Sequence, residues 1–64
     1  MTNTSFDSLM GVLNVLEREI EDARKEFRRL EELGSNDRST LRTMLMDVAE
    51  TAKMLTKQIQ GYLG

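Results

Sequence analysis

Glu17 and Glu21 stand four residues apart, and Asp47 and Glu50 stand three apart. On a helix either spacing puts two carboxylates on one face, the least that paired acid–base work requires. Such work also needs their environments to push the two pKa values apart. Both pairs lie instead among Lys and Arg, in the pattern of a solvated helix face. The chain has no His, the side chain best matched to proton transfer near neutral pH, and no Cys, which excludes thiolate chemistry and disulfides. Ser and Thr hydroxyls therefore have no base to activate them. A carboxylate metal site would need several Glu or Asp converging from different segments, and the apolar stripes described below contain none. Gly11, Gly34, Gly61 and Gly64 are isolated, so no phosphate-cradling loop exists. These features predict no catalytic residue, no cofactor and no bound metal.

The cations form one group, Arg24, Lys25, Arg28 and Arg29, extended by Arg38 and Arg42. Glu21, Asp22, Glu26, Glu31 and Glu32 interleave with them, and Phe27 is the only aromatic among them. With 9 basic against 11 acidic residues and a net charge of −2, the balance argues against nucleic acid and anionic membranes as partners. An acidic protein could still use the cations as a rim. No apolar run reaches the ~18 residues of a membrane span. MTNTSFDSL has no basic segment leading into an apolar one, so no secretory signal is expected. The chain reads as soluble and cytoplasmic.

The elements that would carry these side chains are two helices. Phe6, Leu9, Leu13, Leu16, Ile20, Ala23, Phe27 and Leu30 recur at alternating steps of three and four, as do Leu41, Leu45, Val48, Ala52, Leu55, Ile59 and Tyr62. Each set makes one stripe along a helix, and its persistence is that of a coiled-coil or bundle seam. Between them lies LGSNDRS. Gly34 suits the left-handed position past a helix end, and Ser35, Asn36 and Asp37 are all good N-caps. Thr4 and Asp7 are spaced like a capping box at the start of the first helix. The expectation is an all-α antiparallel two-helix hairpin over residues 1–64: helix 1 near 5–33, a turn near 34–36, and helix 2 near 37–60. From Glu17 to Glu32 twelve of sixteen residues are charged, and Glu21–Lys25, Arg18–Asp22 and Arg28–Glu32 are candidate i,i+4 ion pairs.

A chain of 64 residues has little core, and with no disulfide or metal the remaining staple is a second chain. LMGVLNVL, residues 9–16, suggests where that chain would bind. Leu9, Leu13 and Leu16 belong to the expected seam, while Met10, Val12 and Val15 point elsewhere. In an antiparallel hairpin this stretch lies beside Met54, Leu55, Ile59, Tyr62 and Leu63. Met44, Met46 and Met54 sit off the second stripe, and Met adapts readily to partner surfaces. The expected partner interface is therefore Leu9, Met10, Val12, Leu13, Val15, Leu16, Met44, Met46, Met54, Leu55, Ile59 and Tyr62. It would be covered either by another protein or by a second copy in a homo-oligomer. Gly11 inside this stretch reads equally as a frayed helix start or as a point of close backbone approach.

DARKEF (Asp22–Phe27) and TMLMDVAETAKML (Thr43–Leu55), in a small acidic hairpin, resemble the helical-hairpin co-chaperones of bacterial type III secretion. The resemblance spans about residues 20–62. It implies a small co-chaperone that helps a tetratricopeptide-like chaperone hold a needle subunit in the cytosol, using the apolar faces of its two helices. Leu55, Thr56, Ile59 and Tyr62 are also spaced like the end of the hairpin aspartyl-phosphate phosphatases of sporulation control. That family's motif needs an Asp with a Ser four residues before it, and those places hold Thr56 and Ala52, so the enzymatic reading is rejected. The resulting expectation is a non-catalytic interaction module, most specifically a co-chaperone in type III secretion. The alternative is a self-assembling helical scaffold or regulator.

Overall fold

The computed structural model describes residues 5–63: α1, Phe6–Leu33, and α2, Ser39–Leu63, packed against each other as a hairpin 50 Å long. The described residues contain no strand. Among them, no helix is long and apolar enough to cross a membrane.

Local chemistry sets the helix ends. Ser5 caps α1: its side-chain oxygen accepts from the Ser8 amide at 3.1 Å, while its carbonyl accepts from the Leu9 amide, also at 3.1 Å. Thr4, the expected cap, lies outside the described residues. At the other end Gly34 is left-handed, with φ 65°. Its amide donates to Glu31 O at 3.1 Å, and the Ser35 amide donates to Leu30 O at 2.9 Å. This paired closure satisfies two carbonyls that would otherwise lack partners.

The connection is longer than the sequence suggests, running over residues 34–38. Two side chains organise it. Ser35 Oγ accepts from the Asp37 amide at 3.1 Å, and Asp37 Oδ1 accepts from the Ser39 amide at 3.1 Å and from Ser39 Oγ at 2.7 Å. The first helical bond of α2 then runs from the Arg42 amide to Arg38 O at 2.8 Å. Asp37 is thus spent on a local turn two residues ahead of α2 and does not open the helix itself. At the far end α2 runs to Leu63, beyond the expected residue 60, because Gly61 keeps a helical conformation and no Pro follows.

Both bonds from Ser39, hydroxyl first and then amide, hold the Asp37 carboxyl below the usual carboxylate range. Arg29 does the same for Glu26, mainly through its hydrogen bonds. A carboxylate whose folded pKa is depressed adds stability above its unfolded pKa, and that stability is lost as pH falls through the folded value. The thermal midpoint followed by circular dichroism should therefore fall between neutral pH and about pH 2, and Asp37→Asn should flatten part of that fall. Separately, no heavy atom lies within 4 Å of a Cβ built at Gly34, so the cost of Gly34→Ala is conformational alone. A urea midpoint shift equivalent to a loss of about 1 kcal/mol is expected.

Candidate functional site: an open apolar face

The most buried side chains are Ala23, Leu30, Leu41 and Thr51, and none is fully enclosed. Half-buried around them are Leu9, Val12, Leu13, Leu16, Glu19 and Glu26 on α1, and Met44, Val48, Ala52, Leu55 and Gln58 on α2. Most of these fall into two rows per helix, each repeating every seven residues. The shared row is Leu9, Leu16, Ala23 and Leu30, met by Leu41, Val48 and Leu55. The inner row is Val12, Glu19 and Glu26, met by Met44, Thr51 and Gln58.

The expected stripes combined the shared row with a different neighbour. That outer row is Phe6, Leu13, Ile20 and Phe27 on α1, with Leu45, Ala52 and Ile59 on α2. In the hairpin Ile20 remains 42 % exposed, Phe27 44 % and Leu45 52 %, with Phe6 and Ile59 also open. The helical contact is therefore turned by one row from the sequence reading. Ala23 of the shared row and Thr51 of the inner row are among the buried side chains, whereas Ile20, Phe27 and Leu45 of the outer row stay open. The turn also brings acidic side chains into the seam, contrary to expectation. Glu19 Oε1 and Gln58 Oε1 are buried without a hydrogen-bond partner among the described residues. Glu26 escapes this through a two-bond fork from Arg29, Nε to Oε1 at 3.0 Å and Nη2 to Oε2 at 2.7 Å. This is the one ion pair within 4 Å among the described residues, so the three expected i,i+4 pairs are not closed.

The two outer rows share one face. Ile20, Ala23 and Phe27 of α1 line a shallow groove with Leu41, Leu45 and Val48 of α2, and Arg24, Arg28 and Glu31 form its rim. The apolar surface continues around α2 through Leu45, Met46 and Ala49 beside Arg38 and Arg42. Arg38 lies over the Phe27 ring, 5.3 Å from its centroid, and keeps its charge at the edge of the groove. The opposite face carries Asp22, Arg29 and Asp47, all exposed.

The expected interface residues separate into two groups. Leu9, Val12, Leu13, Leu16, Met44 and Leu55 are half-buried within the hairpin, and Met44 packs on its core. For Val12 and Met44, expected to point away from the seam, this is a correction: both belong to the inner row. Met10, Val15, Met46, Met54, Ile59 and Tyr62 are exposed. Of these, Met46 and Ile59 adjoin the apolar face, whereas Val15 and Met54 stand on the polar one. The sequence reading missed Ile20, Phe27 and Leu45 as surface residues because their spacing fits a seam equally well. Gly11 meets no other heavy atom within 4 Å of its notional Cβ, so nothing in the hairpin approaches it closely.

Chemically the site offers apolar area rimmed by charge. Among the described residues no three carboxylates converge as a metal site would require. The carboxyls with altered acidity, Glu26 and Asp37, owe it to fixed local hydrogen bonds. Comparison with protein-family models, with curated proteins and with solved structures finds no match.

Glu19 and Gln58 give the seam a measurable weakness. Replacing Glu19 by Leu removes a buried acceptor that has no partner and adds apolar contact. Denaturant unfolding should show a gain of about 1 kcal/mol.

Proposed function

We propose that the chain is a non-catalytic protein-interaction module acting in the cytoplasm, and that the open apolar face is its working surface. The observation that carries this reading is the exposure of Ile20, Phe27 and Leu45 around one groove, while among the described residues the buried apolar core is only Ala23, Leu30 and Leu41. A small helical protein that hides so little and exposes a continuous two-helix face is suited to completing a helical structure with another chain. The charged flank from Glu17 to Glu32 would keep the complex in solution.

The more specific form of the reading is a small co-chaperone of type III secretion. It draws on the resemblance carried by Asp22–Phe27 and Thr43–Leu55. Helix-face burial on a tetratricopeptide-like chaperone would help keep a needle subunit soluble. The second reading, self-assembly, draws on the presence of the same outer row on both helices.

Co-expression tests the first form directly. The chain, produced with a tetratricopeptide-like chaperone and a needle subunit from the same genome, should yield a soluble complex of all three. Leu45→Glu, on the apolar face, should remove it from that complex, while Met54→Glu, on the polar face, should not. Equal retention of both variants, or no complex at all, would end the co-chaperone reading.

A further inference from the structure

We propose that the occupant of the apolar face is a second copy of this chain, and that two hairpins close face to face into a four-helix bundle with both connecting loops at one end. This deepens the interaction-module reading and rests on it.

The hairpin exposes 5178 Å². A compact monomer of its 7.4 kDa exposes about 4200 Å². Two such chains reach the surface of a compact protein of twice the mass only by burying about 3400 Å² between them. That lies within the ~2000–5000 Å² of obligate homodimers and well above a transient contact.

An isologous contact needs one patch that fits itself. If the two-fold axis runs parallel to the helices, α1 of one copy lies antiparallel on α2 of the other, and heights above the loop are preserved. The register is then fixed by the hairpin itself. Bulky outer-row residues of α1 fall on smaller or matching ones of α2: Ile20 on Ala52, Phe27 on Leu45.

The flanking row follows the same pairing. Along α1 it reads Met10, Glu17, Arg24, Glu31, and along α2 it reads Leu63, Thr56, Ala49, Arg42 from the open end towards the loop. Met10 meets Leu63, which accounts for two exposed apolar side chains, and Glu31 meets Arg42. The alternative two-fold axis sets α2 against α2. There the loops lie at opposite ends, so Arg42 falls towards the open end of the other copy and Glu31 loses its partner.

Sedimentation equilibrium of the full chain at about 10–100 µM should give twice the monomer mass. Ile20→Glu and Leu45→Glu each place an unpaired charge in the interface and should weaken the dimer by about 100-fold or more. Because such variants could also fail by unfolding, a charge exchange provides the second arm. Glu31 and Arg42 form no ion pair within the hairpin. Glu31→Arg or Arg42→Glu alone should weaken the dimer about tenfold, and the double exchange should restore it. Spin labels on Asn36→Cys should lie about 20 Å apart in the dimer. A folded wild-type monomer throughout that range would overturn the proposal, even if the chain binds a different protein through the same face. So would a dimer indifferent to both Glu substitutions, or labels separated by the 50 Å length of the hairpin.

Discussion

Each helix carries an apolar arc wider than one neighbouring helix can cover. The arc takes in the shared row and the outer row, and the contact inside the hairpin spans only the shared row and one side of it. The helices approach over the inner row, where Thr51 is buried, and leave Ile20, Phe27 and Leu45 open. The groove, the scarcity of fully buried side chains and the acidic residues inside the seam all follow from that choice. The loop fixes it at one end, where Leu30 and Leu41 are buried beside the closure made by Gly34 and Ser35.

The polar inner row then has a consistent meaning. In an isolated pair, Glu19 and Gln58 place acceptors without partners in the seam. In a four-helix arrangement the shared and outer rows turn towards the central axis, and the inner row lies at the edge between two helices of one hairpin. An acceptor there can take a donor that reaches in from the solvent side, as Glu26 does from Arg29. Polar residues at such an edge oppose alternative alignments, since sliding one helix along the other would carry them into the apolar rows. They would cost the pair some stability while fixing which side of each helix stays open.

Much of this was legible in the sequence, and the part that was not has a definite cause. The steps of three and four marked both helices, and Gly34 marked the end of the first, because its left-handed conformation is one that only Gly adopts without strain. Asp37 signalled the second helix but not its first residue, since a short acceptor can serve a turn as readily as a cap. Gly61 is helical, because Gly ends a helix only where the chain turns left-handed. The phase of the seam could not be read. Leu9, Leu16, Ala23 and Leu30 belong to two possible stripes, and apolarity favours the one containing Ile20 and Phe27. The structure takes the other, and periodicity alone does not distinguish them, since both neighbouring rows repeat every seven residues. The interface residues inherited that ambiguity: Val12 and Met44 moved into the seam, and Ile20, Phe27 and Leu45 moved out.

The distribution of apolar rows also limits what kind of assembly the chain can build. Both outer rows lie on one face, and the opposite face presents Asp22, Arg29 and Asp47. Val15 and Met54 are apolar residues on that polar side, each seven residues from an aspartate of the same row, Asp22 and Asp47. A molecule with adhesive surface on two faces can add copies without end, whereas one with a single self-fitting face is saturated once that face is covered. The arrangement therefore favours a closed complex over a filament. The same logic holds whichever chain covers the face: a partner that buries Ile20, Phe27 and Leu45 leaves only the charged side of the hairpin in water, and the assembly stops there.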